Sequence, residues 1–251
     1  MTPAEIHLGL GPSVANIVVL RQGQRLSSGS GFLVNGKLVT CGHVVRNIPA
    51  NCTVEVRFWQ TPTWILPAPL QLAGFSDEAS YDYAIFAPPH GVQVGPSLTF
   101  ATDEAEPGEQ VCSLGYPFED PHLTIHQGIV SAVFDSGPAR MVKLDMSVNP
   151  SNSGGPVIRQ ETGEVLGVVA RKATGLTRAF DELMESFDGN IAALRPALGG
   201  MRLGGLDPFE ALLATQHQMR QVSLEIQRSS NVGIGYAIWC DPLRDEPALT
   251  V

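Results

Sequence analysis

The sequence predicts a mostly β protein, a sandwich or a pair of β-barrels, with two helices inserted late in the chain. Short β-branched or apolar runs recur between turn signals from about residue 12 to 172. The 26 glycines and 19 prolines among 251 residues suit short strands with tight connections. After residue 173 the apolar residues follow a helical period, until the strand-like run VGIGYAIWC near the end of the sequence.

The β region consists of ten short runs bounded by turn signals. Between the fifth and sixth runs lies PPHGVQVGPSLTFATDEAEP, a segment rich in proline, glycine and acidic residues that predicts a passage between two β units. We therefore place a domain boundary near residue 100, which gives a first domain of residues 1–100 and a second of 101–251. The ten runs are VANIVVL, GFLV, KLVTCGHVV, TVEVRF, YAIFA, QVCSLGY, LTIHQGIVSAVF, RMVKLDM, GPVI and EVLGVVA.

Two amphipathic helices are predicted within an insertion at about residues 176–230. The first spans roughly 177–195 and the second roughly 208–228, separated by the glycine-rich ALGGMRLGGL. Asp207 followed by Pro208 is typical of a helix start, an N-cap acid with proline at the first helical position. The first apolar stripe comprises Phe180, Leu183, Met184, Phe187, Ile191 and Leu194; the second comprises Phe209, Leu212, Leu213, Met219, Val222 and Ile226.

Composition narrows the class of protein and of partner. The chain is 43% hydrophobic and 16% charged, with a formal net charge of −9, so neither nucleic acid nor an anionic membrane surface is an expected partner. Its first residues lack the pattern of a signal peptide, and its four cysteines lack metal-ligand spacing. We expect a cytoplasmic protein with reduced cysteines, no membrane span, no bound metal and no cofactor.

The segment PSNSGGP at residues 150–156 holds a candidate nucleophile, Ser153. The two glycines after it allow close backbone approach and a sharp turn without a Cβ clash. Taken alone, the segment suits an ordinary turn as well as a reactive serine. A serine nucleophile also needs a base, a group that orients the base, and backbone N–H donors for the oxyanion.

Two upstream residues are candidates for the base and for the group that orients it. His43 in LVTCGHVV follows a strand-like run and is a candidate base. Asp82 in SYDYAIF enters an apolar strand, where a charge is costly unless it is hydrogen-bonded, and an imidazole N–H would satisfy it. Asp77 and Glu78 are competing acids, but both lie in a polar turn.

The order His43, Asp82, Ser153, in TCGHVV, DYAIF and NSGGP, resembles the chymotrypsin-like (trypsin-fold) serine peptidases. It is most similar to the HtrA/Deg branch, through GSGFLVNGKLVTCGHVV, SLGYPFE, GIVSAV, LDMSVNPSNSGGPVI, GEVLGVV and VGIGYAI. The resemblance implies two packed six-stranded antiparallel β-barrels with the triad in the cleft between them. It also implies an oxyanion hole formed by the N–H groups of Ser151 and Ser153.

Several positions depart from the family pattern. Ser151 stands where most relatives have glycine, so a hole that needs positive φ is strained, and a flipped, inactive hole at rest is one hypothesis. Asn152 cannot form the ion pair that activates digestive relatives after cleavage. The insertion at 176–230 replaces a short loop beside the specificity pocket, and we expect no PDZ domain after the last strand.

The resemblance also indicates which residues shape the specificity pocket. Ser147 occupies its floor, so cleavage after Lys or Arg is disfavoured and small or medium uncharged side chains are expected. The other substrate-binding residues predicted are Val148, Asn149, Val169, Ala170 and Tyr236.

Three functions are compatible with these patterns. The first is a serine endopeptidase acting on a protein or peptide substrate. The second is a catalytically silent pseudopeptidase or binding module. The third is an effector protease activated by a regulatory protein partner at the helical insertion.

Overall fold

The computed structural model describes residues 1–59, 61–92, 94–172, 178–229 and 233–250. The chain forms two compact units, one of Met1–Ala173 with Gly233–Val251 and the other of Thr174–Val232. The first is mostly β and the second helical. None of the helices in the described ranges has the length and apolar character needed to cross a bilayer.

The first β-sheet contains seven antiparallel strands in the order β5-β4-β1-β2-β3-β7-β6. The family resemblance implies six strands here, so the strand count differs. β5 ends at Pro67 and Pro69 follows it; because proline has no N–H, this segment suits a sheet edge. The strands are β1 (Val14–Arg21), β2 (Gln24–Val34), β3 (Lys37–Cys41), β4 (Cys52–Phe58), β5 (Trp64–Pro67), β6 (Leu72–Ser76) and β7 (Tyr83–Phe86).

The second sheet closes into a six-stranded barrel in the order β10-β13-β12-β11-β8-β9, as the resemblance implies. Its strands are β8 (Gln110–Gly115), β9 (Thr124–Ser136), β10 (Ala139–Asp145), β11 (Pro156–Arg159), β12 (Val165–Lys172) and β13 (Ile234–Trp239). The all-β class with two barrel-like sheets and a helical insertion is therefore confirmed. The predicted boundary near residue 100 falls in the connection between β7 and β8 and stays a prediction.

Short helices flank the β unit. Helix α1 (Pro3–Leu10) begins at a capping box in which Thr2 and Glu5 exchange hydrogen bonds, and it buries Ile6 completely. A one-turn helix α2 (Gly42–Val45) follows β3. After β13, Leu243 and Leu249 belong to the core cluster that lies mainly under the first sheet. The residues after β13 thus pack mainly with the first sheet, although the sequence boundary assigns them to the second domain.

The helical unit contains α3 (Arg178–Leu194) and α4 (Pro208–Ser229), close to the predicted 177–195 and 208–228. The ends predicted for the insertion, residues 176 and 230, lie outside the described residues. The Asp207 carboxylate accepts hydrogen bonds from the N–H groups of Phe209 (2.8 Å) and Gly199 (2.6 Å), so the predicted N-cap is present. An Arg220–Asp188 ion pair (2.8 Å) joins the two helices.

Candidate active site

The His43 ring and the Asp82 carboxylate are hydrogen-bonded. His43 Nδ1 lies 2.6 Å from Asp82 Oδ2, and the backbone N–H of His43 donates to Asp82 Oδ1 at 2.9 Å. An ionised carboxylate only accepts hydrogen bonds, so Nδ1 carries the ring proton. In the neutral imidazole Nε2 is then an acceptor, which is the tautomer a general base requires.

The local fold of two segments produces this pair. Asp82 is 5% exposed and lies one residue before β7 with φ of 44°, a left-handed conformation that aspartate tolerates better than most residues. Its N–H donates to the carbonyl of Asp77 at 2.8 Å and its carbonyl accepts from Gly42 at 3.0 Å. A Cβ at Gly42 would lie 2.9 Å from the Ser76 carbonyl oxygen, so glycine permits α2 to approach this turn.

Ser153 is placed by the two glycines that follow it. A Cβ at Gly154 would lie 2.2 Å from both Ser30 O and Thr40 Oγ1, and one at Gly155 would lie 2.5 Å from Leu114 O. Both positions therefore exclude any side chain. The close approach seats the serine loop against the first sheet, where the Ser30 N–H donates to the Ser153 carbonyl at 2.8 Å.

The Ser153 hydroxyl donates to the carbonyl of Ala170 in β12 at 3.1 Å. Across the described ranges, no hydrogen bond joins it to the His43 ring. Ala170 and His43 both line one cleft, so the hydroxyl is bonded to a residue of the cleft that His43 borders. The structure thus brings His43 and Asp82 into contact and leaves Ser153 bonded to a neighbouring strand.

Ser151 adopts the left-handed conformation that glycine would adopt more easily, with φ of 72°. Its hydroxyl shares a hydrogen bond with that of Ser28 at 2.8 Å, and its carbonyl accepts from Ser30 Oγ at 2.8 Å. The preceding carbonyl, of Pro150, accepts from the Phe118 N–H at 2.9 Å. Because N–H and C=O point in opposite directions across a trans peptide, the Ser151 N–H points away from Phe118.

Among the described residues, neither the Ser151 N–H nor the Ser153 N–H has a hydrogen-bond partner. Two neighbouring backbone donors without partners beside a serine hydroxyl suit an incoming anionic oxygen. This geometry favours a formed oxyanion hole over the flipped hole that Ser151 suggested in sequence.

The six predicted substrate-binding residues occupy different environments. Ser147 is exposed and Asn149 is half-buried, whereas Val148 packs against Gly235 so closely that a Cβ there would lie 2.3 Å from Val148 Cγ2. Val169 is fully buried inside the second barrel, so its side chain cannot reach a ligand in the cleft. The alternation of β12 turns Ala170 to the cleft instead.

Tyr236 lies on the opposite face of β13 from Gly235. Its ring packs edge-on against Phe134, with centroids 6.2 Å apart, and it borders the cluster of Ala139, Met141 and Ile238. Its place in the specificity pocket stays a prediction.

The cleft has a volume of about 550 Å³ and an ion pair at its side. Arg46 Nη1 lies 2.5 Å from Glu78 Oε2, and both side chains are about half exposed. The sequence interpretation set Glu78 aside as a solvated acid and did not consider Arg46. Arg46 could have been found from the sequence, because it is three residues after His43, a spacing that brings two side chains to the same side of a helical turn. Further lining residues are Ala79, Ser80, Ser136, Gly137, Ala139, Met141 and Ile238.

Cys41, His43 and Asp82 offer three potential metal-ligand atoms within 4.8 Å of one another. Burial, reinforced by the negative charge of Asp82, raises the pKa of the Cys41 thiol well above its usual range. Its Sγ lies 3.2 Å from the Val169 carbonyl, to which it donates. Because the thiolate is the form that binds metals, this set is a poor fit for a metal ion.

Residues 29–168 match the family model described as "Trypsin-like peptidase domain". The chain belongs to the trypsin-like peptidase family. The matched residues include His43, Asp82 and Ser153.

This trypsin-like peptidase family member has HtrA/DegP-like relatives. It is 32% identical over 159 residues to the "Probable periplasmic serine endoprotease DegP-like" of Marinomonas sp. (strain MWYL1), a match that covers 59% of this chain and 30% of that protein. The crystal structure of the serine endoprotease from Yersinia pestis aligns with a TM-score of 0.56 and 22% identity, covering 69% of this chain and 58% of that one. The HtrA-type protease AlgW with tripeptide aligns with a TM-score of 0.59 and 20% identity, covering 97% and 61%. At these identities the solved structures establish the fold.

Proposed function

We propose that this protein is a serine endopeptidase in which Ser153, His43 and Asp82 form the catalytic triad. The observation that carries the proposal is the His43–Asp82 pair at 2.6 Å, which leaves Nε2 as an acceptor. His43 lines the same cleft as Ala170, whose carbonyl accepts from the Ser153 hydroxyl. Membership of the trypsin-like peptidase family supports the reaction class.

In the proposed reaction the Ser153 hydroxyl leaves the Ala170 carbonyl by rotation about its Cα–Cβ bond and turns to His43 Nε2. The ring removes the hydroxyl proton as Oγ attacks the scissile carbonyl, and Asp82 stabilises the imidazolium that forms. His43 then donates this proton to the leaving amine. Water hydrolyses the acyl-enzyme by the same proton transfers in reverse order.

The backbone N–H groups of Ser151 and Ser153 bind the oxyanion in this proposal. Support comes from the positive φ at Ser151, from the Phe118–Pro150 hydrogen bond that orients the peptide, and from the lack of other partners for both donors among the described residues. Donors fixed in place before the reaction stabilise the developing charge without reorganisation.

Labelling with a fluorophosphonate probe tests the triad. We expect the wild-type protein to be labelled, Ser153→Ala to lose labelling completely, and His43→Ala to slow it by on the order of 10⁴- to 10⁶-fold. Ser80→Ala is a matched control because Ser80 lines the same cleft, and it should label like wild type. Labelling that persists in Ser153→Ala would refute the assignment.

One observation favours a second candidate, a catalytically silent or partner-activated protein. The Ser153 hydroxyl is bonded to Ala170 rather than to His43, so the described conformation is not ready for proton transfer. Under this alternative, labelling is absent from the purified protein, and appears only with a co-purifying factor if the protein is an effector protease.

We further propose cleavage after small or medium uncharged residues, supported by the exposed Ser147 and the absence of an acid at this position. Digestion of a proteome-derived peptide library, with Ser153→Ala as control, tests this preference. A cytoplasmic location also stays a prediction; the word periplasmic in the relative's name describes that protein. Cell fractionation decides between the two compartments.

The helical unit is the proposed site for a regulatory protein partner. Its helix α4 carries apolar side chains at helical spacing that are about half exposed, namely Leu212, Met219, Val222 and Ile226. Exposed apolar stripes on helices are typical docking surfaces. We expect the double variant Met219→Ser, Val222→Ser to lose co-purifying protein while its helical content stays unchanged.

A further inference from the structure

A second cavity, of about 380 Å³, lies beside α1 and shares no lining residue with the cleft of His43. Its walls come from separate parts of the chain: α1, β1, the end of β4, and the segment after β8. The residues that carry the argument are His7, Asn16, Phe58, Trp59, Tyr116 and Leu123. Volumes of about 300–1,000 Å³ are usual for small-molecule sites.

Asn16 gives this cavity an unsatisfied polar atom. It lies in the middle of β1, is 2% exposed, and its side-chain Oδ1 has no hydrogen-bond partner. A buried polar atom without a partner is costly, so such atoms are rare unless a water or ligand completes them. Because Asn16 lines the cavity, a ligand that donates an N–H or O–H would complete this acceptor.

Aromatic rings form much of the remaining wall. Trp59 is 46% exposed and stacks against His7, with ring centroids 5.4 Å apart. Phe58 and Tyr116 are 8% and 3% exposed, and the Tyr116 hydroxyl already donates to the Val14 carbonyl at 3.4 Å. Flat π-faces beside an unpartnered acceptor favour a planar aromatic ligand that donates a hydrogen bond.

The segment that closes one side of the cavity also contacts the serine loop. Tyr116 donates its backbone N–H to Ser30 Oγ at 3.0 Å, and the same Ser30 hydroxyl donates to the Ser151 carbonyl at 2.8 Å. Two residues later, the Phe118 N–H holds the Pro150 carbonyl. Leu123 is tied to α1 through its carbonyl, which accepts from His7 Nε2 at 3.3 Å. A ligand that moves or fixes this segment acts on both peptides that orient Ser151.

We propose that this cavity binds a small planar aromatic molecule carrying an N–H or O–H donor, and that its occupancy changes the reactivity of Ser153 through the segment 116–123. The binding step is independent of the catalytic assignment. The second step rests on the proposed peptidase function.

Binding is tested with two probes of matched shape, indole and indene, of which only indole donates a hydrogen bond. In NMR titrations we expect indole to bind wild-type protein at least about 10-fold more tightly than indene. The difference is what one additional hydrogen bond to a buried acceptor contributes. In Asn16→Leu the two probes should bind equally. That variant should also unfold at the same or a higher temperature, because an unsatisfied polar group is removed.

Trp59→Ala is the second variant, chosen because Trp59 is half exposed and its loss leaves the core intact. It should weaken both probes alike. If wild-type protein binds neither probe, or binds both with equal affinity, the proposed site is wrong.

The coupling is tested by the rate of fluorophosphonate labelling at an indole concentration that saturates wild-type protein but leaves the more weakly binding Asn16→Leu mostly unoccupied. We expect a rate change of several-fold in wild-type protein and a much smaller one in Asn16→Leu. Indole binding without a rate change, in protein that is labelled at Ser153, overturns the coupling. If Ser153 is never labelled, the peptidase assignment fails, and shifts of the Ser151 and Ser153 amide resonances on indole binding then decide the coupling alone.

Discussion

At the scale of single residues, the serine loop depends on a glycine that tolerates no side chain. Gly154 has φ of 88° and its Cβ position lies 2.2 Å from two oxygens, whereas Gly91 has φ of 78° with open space around it. We expect Gly91→Ala to destabilise the protein by about 1 kcal/mol from conformation alone, and Gly154→Ala by about 2–5 kcal/mol because the clash adds to it. Urea unfolding measures both. Equal losses would show that the loop moves to accommodate a methyl group.

The backbone conformation of Ser151 destabilises the folded protein, whereas the hydrogen bond of its side chain stabilises it. Ser151→Gly relieves about 1–2 kcal/mol of left-handed strain but removes a hydroxyl bond to Ser28 worth about 0.5–1.5 kcal/mol, so the unfolding free energy should change by no more than about 1.5 kcal/mol. The labelling rate of Ser153 should stay within about 3-fold, because the backbone N–H is kept. Ser28→Ala is the control, since it loses the hydrogen bond and keeps the strain. A large fall in rate for Ser151→Gly would assign the role to the side chain instead.

The sequence allowed us to predict which residues meet in the candidate site, but not which side-chain rotamer each adopts. His43 and Asp82 could be paired from sequence because a buried carboxylate needs a donor, and the 2.6 Å contact confirms that they meet. The Ser153 hydroxyl, by contrast, chooses between two acceptors by rotation about one bond. No sequence pattern records that choice. The substrate-binding roles of Val169 and Tyr236 stay predictions, because burial and packing alone do not define the specificity pocket.

At the scale of elements, the sequence predicted the strands whose side chains alternate between apolar and polar, and the strands that are apolar throughout. It missed the strands that show neither pattern. β5 and β6 lie in TWILPAPLQLAGF, where prolines interrupt the pattern and exposed residues such as Ile65 and Phe75 obscure it. Helix α1 was missed because it buries only Ile6 and so has no apolar stripe. Its capping box, Thr2 with Glu5, and its Pro3 were readable signals.

The start of α4 carries a prediction about pH. Hydrogen bonds from the N–H of Gly199, and then of Phe209 and Glu210, lower the pKa of Asp207. A carboxylate with a lowered pKa stabilises the folded state above its unfolded pKa of about 3.9, and that stabilisation is lost as pH falls through the lower folded value. Asp207→Ala should therefore lower the thermal stability of the helical unit at pH 7, and its effect should shrink as the pH falls below the unfolded pKa of about 3.9.

Circular dichroism at 222 nm follows this transition, because α3 and α4 contribute most of the helical residues in the described ranges. Asp207→Asn is the matched control, since asparagine caps a helix without a titrating charge. It should keep most of the stability and lose the pH dependence. An Asp207→Ala variant as stable as wild type at pH 7 would show that this cap is not needed.

At the scale of the whole molecule, the helical unit interrupts a pair of adjacent strands. β12 and β13 are antiparallel neighbours, and Lys172 pairs directly with Gly235, so these two residues, which flank the insertion, lie one strand spacing apart. A short turn can close this gap as well as 59 residues do, given that unit 2 runs over Thr174–Val232. The insertion is thus dispensable for the topology of the second barrel.

We therefore expect the β unit to fold when residues 174–232 are replaced by Asn-Gly. The free energy of unfolding in urea should be equal to or higher than that of the β unit in the full chain, because closing a shorter loop loses less entropy. The labelling rate of Ser153 then measures regulation directly: a changed rate supports a regulatory helical unit, and an unchanged rate refutes it. A replacement variant that fails to fold would show instead that the helical unit stabilises the barrel it interrupts, and a version with a longer Gly-Ser linker separates that outcome from strain in the new turn.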